Sequence, residues 1–533
     1  MRRVFNRIRV TTGLAAVEAS LARASDAELI ERSIWERAWI RFSATSLIGL
    51  KDAKALSRIR AQCFFDACIL LSSPHFTVLG VDRRVATILA LHDTLMSAPS
   101  QELVPVAELG LRQFRQMLED PLLTVPQAMG VFDALHSMYF SGVSDVLELR
   151  RFDGVVPLFE QWLLKRYGTN VSRHERLPKD RPLTIAYLLH TAHFDRGNAV
   201  SPLIVLLAKI HAQAPNRRVI LYLVQYVGPG FPEKLGNCGF STRIFSQGRN
   251  YERIDEIEAA MREDHVDVVI TEQNRAVAAV LFARRVASLQ MWLDTGFPFW
   301  SLKSLDWTFS PNMAGAPDSS RRISGLFCHQ PAAVIQGEFK YSEVERIRKT
   351  FPEGTFVIGV FARLVKLNDR VFDLLNRLLA AENAFRLLIV GTGDAAHVKE
   401  FVAQSAFSDR IDFLNENVDL RIYGQVVDVM CDTFPFIGGH ACREVGAQGT
   451  PVVSMLGTAW DAVLHEERSP ELLARDHEKY IAIVRRLFND LGFREQQKKI
   501  ALEVFADRAD PDRTIADLEA GISAAAAALG GSA

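Results

Sequence analysis

The residues best suited to chemistry lie between Asp432 and Val453, in DTFPFIGGHACREVGAQGTPVV. A strand is expected to end at Phe434; Pro435, Gly438 and Gly439 then turn the chain, and a helix is expected to begin near His440. Glycines let a ligand approach the backbone, and free N–H groups at a helix start attract anions. Glu444 lies one helical turn after His440, so both can face one side. A carboxylate there can accept hydrogen bonds from ribose hydroxyls. The same residues also suit a plain structural turn with a capping histidine.

A second group, GVFARLVKLND from Gly359 to Asp369, places Arg363 and Lys366 after an apolar run and before a helix. Two cations at that point suit a diphosphate, although solvated loop charges have the same pattern. The third group is IVGTGD, in which a buried strand runs into Gly391, Thr392 and Gly393. Neither G-x-G-x-x-G nor G-x-x-x-x-G-K-[ST] occurs, so a nicotinamide-type dinucleotide site and a P-loop are not supported. The fourth is HTAHFDRGNAVS, from His190 to Ser201. There Asp195, Arg196, Gly197 and Asn198 form a polar loop, and His190, His193 and Asp195 are candidates for a general base or for holding an acceptor. A polar turn with a helix cap reads the same way. No H-E-x-x-H, G-x-S-x-G or convincing metal spacing is present, so no metal site is expected.

The elements that must position these residues change character along the chain. Residues 1 to about 170 read as successive helices, with capping-box patterns at Ser25/Glu28 and Thr124/Gln127 and no 34-residue repeat. Trp35 and Trp39 sit at helical spacing, as core residues do. The polar, Pro-containing stretch 169–182 reads as a linker. From 183 onward short apolar runs alternate with amphipathic helices, and after a looser segment, 310–354, the alternation restarts. Two such series predict two doubly wound parallel sheets, facing each other across a cleft and holding ligands at the carboxyl ends of their strands. The divisions expected are 1–170 all-helical, 183–340 first α/β domain, 350–510 second α/β domain, and 511–533 C-terminal helix or tail.

Composition narrows the function classes. The 533 residues carry 62 basic and 63 acidic side chains, a balance that does not fit a protein built to cover nucleic acid. No uncharged apolar run is long enough to span a membrane. Arg2, Arg3, Arg7 and Arg9 precede the first acid, Glu18, the pattern of a solvated basic helix end, with an organellar transit peptide and a peripheral membrane contact as alternatives. The six cysteines are widely scattered, with no C-x-x-C pair, and the first residues lack a secretory apolar core. Together these features imply a reducing, cytoplasmic location.

In this order, the segments resemble those of GT-B glycosyltransferases over roughly 183–510. Within that fold they are most similar to the O-GlcNAc-transferase-like and bacterial adhesin-glucosyltransferase-like branch. GGHACRE resembles a Gly-His-Thr-Thr-x-x-Asp stretch, DRGN resembles an Asp-Phe-Gly-Asn loop, and SPELLARDHEKYIAIVRRLFND resembles downstream helices carrying a Leu-Ala pair and a Tyr. The family's Thr pair is Ala441-Cys442 here, and its His after Gly-Asn is Ala199.

The resemblance implies sugar transfer from a nucleotide sugar, most readily a UDP-sugar, to a protein side chain docked on the helical domain, without a metal or other cofactor. Arg363, Lys366, Gly391, Thr392, Gly393, Gly438, Gly439, His440 and Glu444 would take the donor; Asp195, His193 and His190 would be catalytic; Arg196, Gly197 and Asn198 would face the acceptor. Two alternatives stay open: an enzyme of the same fold that builds glycans or glycolipids, and a non-catalytic scaffold binding partners through the helical segment.

Overall fold

The computed structural model describes residues 35–40, 42, 53–96, 103–142, 152, 154–168, 177–178, 180–192, 200–236, 238–245, 251–272, 275–293, 302–310, 320–322, 341–458, 461, 464–465, 468–508 and 511–530. The chain divides into two compact units, Met1–Ser97 with Glu102–Ser141, and Ala98–Gln101 with Gly142–Ala533.

The first unit is helical in its described residues. Helix Ala53–Ser72 packs on Pro74–Val78, Val81–Leu95 and Leu103–Met117. Leu103–Met117 buries Leu103, Val106, Ala107, Gly110, Leu111, Phe114 and Met117, the three-and-four spacing of a helix with one apolar face. Helix Val125–Gly142 opens on the expected capping box. The Thr124 N–H donates to Gln127 Oε1 (2.9 Å) and the Gln127 N–H donates to Thr124 Oγ1 (3.4 Å). Trp35 and Trp39 stack with ring centroids 5.8 Å apart, and Trp39 stacks in turn on Phe42. The Ser25/Glu28 box lies outside the described residues.

The second unit holds the two expected parallel sheets. Strands β1 (Leu183–Ala192), β2 (Arg217–Val227), β3 (Ser241–Ile244), β4 (Val268–Thr271), β5 (Leu289–Leu293), β6 (Trp307–Ser310) and β7 (Ser320–Arg322) form one sheet in the order β3-β2-β1-β4-β5-β6-β7. Strands β8 (Phe356–Phe361), β9 (Phe385–Val390), β10 (Ile411–Leu414), β11 (Val429–Cys431), β12 (Val452–Met455) and β13 (Leu473–Ala474) form the other, in the order β10-β9-β8-β11-β12-β13. Every pair of neighbours is parallel. Strand order reverses between β1 and β4 and between β8 and β11, leaving a crevice at the carboxyl ends of those strands. β8 is buried throughout and β1 nearly so, which is why both read as continuous apolar runs.

Three details differ from expectation. β11 stops at Cys431, not Phe434, because the Asp432 carboxylate and the Thr433 hydroxyl take up backbone groups of the following turn. The looser segment contains β7 and helix Tyr341–Arg348. β7 is three polar residues long, too short for alternation to show. β6, just ahead of them, was not anticipated either.

Two helices close the first sheet. Val156–Tyr167 packs on Ala276–Ala283, and its buried Glu160 accepts from the N–H groups of Lys303 and Ser304 (2.8 Å each). Pro511–Gly530 packs on β5, β6 and helix Val200–His211, adding Leu518, Ile522 and Ala525 to the core. Its Glu519 accepts two hydrogen bonds from Arg217 (2.6 Å each) and one from His211 Nε2 (2.8 Å). Among the described residues, no helix is long and apolar enough to cross a membrane.

Candidate functional site

Three loops leave the carboxyl ends of β8, β9 and β11. After β8 the chain makes a 3₁₀ turn, Leu364–Lys366, and Asn368 caps helix Asp369–Ala381 by accepting from the N–H groups of Arg370 and Val371. The Asn368 amide also donates to the Phe434 carbonyl (3.0 Å), tying this helix start to the loop after β11. The β9 loop supports the turn from behind. The Leu364 N–H donates to the Thr392 carbonyl (3.0 Å), and the His397 ring donates to the Leu364 carbonyl (2.9 Å). A Cβ at Gly391 would overlap the Ala362 carbonyl, and Gly393 has φ +130°, so both glycines serve this close approach of two loops.

The loop after β11 carries a cis Phe434–Pro435 bond and then Phe436, Ile437, Gly438 and Gly439. The Thr433 hydroxyl donates to the Phe436 carbonyl (2.7 Å). Gly439 has φ +54°, and helix His440–Gly446 follows. Gly438 has no room for a side chain: a Cβ would stand 2.6 Å from Cys442 Sγ and 2.9 Å from Asp432 Oδ1.

The structure brings Lys366 and Arg363 onto this corner. Lys366 is 8% exposed, and its ammonium donates to the Ile437 carbonyl (2.7 Å) while lying 4.2 Å from the centre of the Phe436 ring. The half-buried Arg363 guanidinium lies 5.9 Å from the same ring. Burial, reinforced by Arg363, pushes the Lys366 ammonium down to about 7, against the opposing pull of Asp432 and Cys442. Burial also lowers Arg363 from its ordinary value. Asp432, 2% exposed, accepts from the Gly438 N–H (2.5 Å) and from the Ser454 hydroxyl (2.9 Å). Burial first, then Asp432, raises the adjacent Cys442 thiol. An anion entering here would meet two partly desolvated cations on one aromatic face, where Coulomb forces are weakly screened.

The Gly438 N–H is thus taken by Asp432. Glu444 is half-buried on the short helix, and its carbonyl accepts from Gln448 Nε2 (3.2 Å). The backbone of His440 starts that helix, and its side chain lies outside the described residues.

On the first sheet, His190 lies within β1 and is 0% exposed. Its Nε2 bonds the Thr271 hydroxyl at the end of β4 (3.1 Å), and its N–H donates to Glu272 Oε1 (3.3 Å). Burial, aided by Arg275, pushes its imidazole down to about 3, so it is neutral at ordinary pH. His193, Asp195, Arg196, Gly197 and Asn198 lie outside the described residues.

Sequence reasoning missed Asp432, Ser454, Phe436 and Asn368. Asp432 and Phe436 stand within the segment singled out, but only the fold shows the carboxylate turned back on its own loop. The Leu473-Ala474 pair proves to be β13, and the buried Tyr480 donates to the Val453 carbonyl (2.6 Å), so both hold the edge of the second sheet.

No protein-family model matches the chain. It is 22% identical over 293 residues to a Hordeum vulgare protein named probable UDP-N-acetylglucosamine–peptide N-acetylglucosaminyltransferase SPINDLY, covering 50% of this chain and 30% of that protein. The Oryza sativa subsp. japonica protein of the same name is 22% identical over 358 residues, covering 62% and 37%. The matched region thus spans only about a third of those relatives' own length. Among solved structures, a variant of the Thermobaculum terrenum O-GlcNAc transferase superposes with a TM-score of 0.56 at 16% identity, covering 96% of this chain and 100% of that one. A Rickettsia africae glycosyltransferase gives a TM-score of 0.50 at 13% identity, covering 64% and 98%. The chain has the GT-B fold, and its structural likeness to a solved O-GlcNAc transferase runs through nearly its whole length.

Proposed function

We propose that this chain is a glycosyltransferase that takes a sugar from a nucleotide-sugar donor, a UDP-sugar, and places it on a protein side chain. The observation that carries the reading is the corner where Lys366 and Arg363 meet Phe436 at the β8/β11 crevice. Breaking the bond between a sugar and a nucleoside diphosphate leaves negative charge on the diphosphate, and positioned cations in a desolvated site stabilise that charge as it develops. Lys366 and Arg363 take this role, and Glu444 holds the ribose. Gly391, Thr392 and Gly393 act by bracing the turn that carries both cations. The choice of UDP and of a peptide acceptor follows the names of the relatives.

On the acceptor side, the loop from His193 to Asn198 follows β1, with Asp195 and His193 as candidate bases. The enclosed, neutral His190 acts by fixing the strand end from which that loop departs. The helical unit docks the acceptor.

Calorimetric titration with UDP, then incubation of UDP-sugars with a peptide mixture and mass spectrometry of the peptides, tests the reading. Heat of UDP binding and a hexose or N-acetylhexosamine mass added to peptides are expected. No UDP heat and no transfer from any UDP-sugar would overturn it.

A further inference from the structure

Ile437 and Gly438 share one peptide unit, and both of its polar ends are held by buried charged side chains. Lys366 donates to the carbonyl (2.7 Å), and Asp432 accepts from the N–H (2.5 Å). A peptide dipole has its negative end at oxygen and its positive end at the N–H, so cation and anion each meet the end they favour. The flanking residues make this hold necessary. Gly438 and Gly439 give the backbone wide freedom, and Gly439 sits at φ +54°. The two charged contacts add to the neighbouring turn bonds in fixing the orientation of that peptide.

We infer that Asp432 is a positioning residue of the donor site: it locks the Ile437–Gly438 peptide and supplies the buried counter-charge that keeps Lys366 protonated for a diphosphate. The inference rests on the nucleotide-sugar reading. Asp432 reaches the site through Gly438 and Lys366 and touches no substrate. Its other neighbours are a hydroxyl, donated by Ser454, and the Cys442 thiol, which burial raises. The charged and titratable groups acting on Lys366 are Arg363, Asp432 and Cys442. Among these the Asp432 carboxylate is the anion that favours the ammonium, while Arg363 opposes it.

The experiment compares wild type with Asp432→Asn, which keeps an oxygen for the Gly438 N–H but loses the charge, and with Asp432→Ser as a second uncharged variant. UDP affinity is measured by calorimetry across pH 6 to 9. UDP's own phosphate titrates identically in all samples, so differences belong to the protein. In wild type, affinity falls as pH rises through the Lys366 value. In each folded uncharged variant this midpoint moves down by about one pH unit, a tenfold easier loss of the proton. Ser454→Ala removes a donor and no charge, so it lowers the melting temperature and leaves the midpoint in place. A folded uncharged variant whose midpoint matches wild type would overturn the inference.

A nucleotide-free arm separates this from failure of the nucleotide reading. There, the rise of melting temperature with pH that comes from Lys366 starts about one unit lower in Asp432→Asn. If UDP binds no sample but this shift appears, the donor reading fails while the Asp432–Lys366 coupling stands. If UDP binds normally and neither midpoint moves, the coupling fails alone.

Discussion

The two sheets meet the same problem at their reversal points and solve it differently. Between β1 and β4 the enclosed polar group is His190, kept neutral and joined to a hydroxyl, Thr271. Between β8 and β11 the enclosed groups are Lys366, Arg363 and Asp432, with Lys366 poised near neutrality. Burial lowers the proton affinity of both bases. For His190 burial and the neighbouring cation Arg275 both act against charge, whereas at Lys366 Asp432 pulls the other way. A neutral, bonded imidazole suits a structural end, and an ammonium close to discharge suits a place where an anion comes and goes.

The contrast breaks most sharply on Lys366→Ala. UDP affinity should fall by about 1.5–3 kcal/mol, the scale of one charge-assisted contact. His190→Ala should instead leave UDP affinity unchanged and lower stability by about 1–3 kcal/mol, from lost packing and the lost hydrogen bond to Thr271. Calorimetry and denaturant melts read the two effects, and equal UDP binding by wild type and Lys366→Ala removes the phosphate assignment.

Acidity and alkalinity separate the sites further. Both folded-state values are depressed, so in each window the unfolded chain binds more protons and stability rises with pH. For His190 the window lies between about 3 and the ordinary 6.5, and for Lys366 between about 7 and 10.5. Acid should therefore destabilise through His190, and His190→Gln should flatten the melting temperature below pH 6.5. UDP, favouring the ammonium, should bind with proton uptake above pH 7, read as a dependence of binding heat on the buffer's ionisation enthalpy.

A smaller effect tests the aromatic face alone. Phe436→Leu keeps the apolar bulk but removes the ring under both cations, and UDP affinity should drop by roughly 1 kcal/mol in the same titration. An unchanged affinity would reduce Phe436 to filler.

Much of this was legible because it is local. The apolar runs of β1 and β8, the Thr124/Gln127 cap, and the cations following β8 follow from neighbouring residues. What escaped depends on distant partners. The Asp432 carboxylate is fixed in part by Ser454, from the next strand, 22 residues on. His190 reads as an accessible polar group at a strand end, yet Thr271, 81 residues away, encloses it. Gly391 and Gly438 were marked as ligand-facing glycines, but the pressure on both comes from protein atoms, the Ala362 carbonyl and Cys442 Sγ.

Helix Pro511–Gly530 has a further consequence for how the polypeptide is made. His211 meets Glu519 across 308 positions of sequence. During synthesis, β1 to β7 emerge well before the segment that seals them, so the early layer must wait with an open apolar flank while the later layer is translated. Nascent chains halted before Leu518 should expose that flank to chaperones.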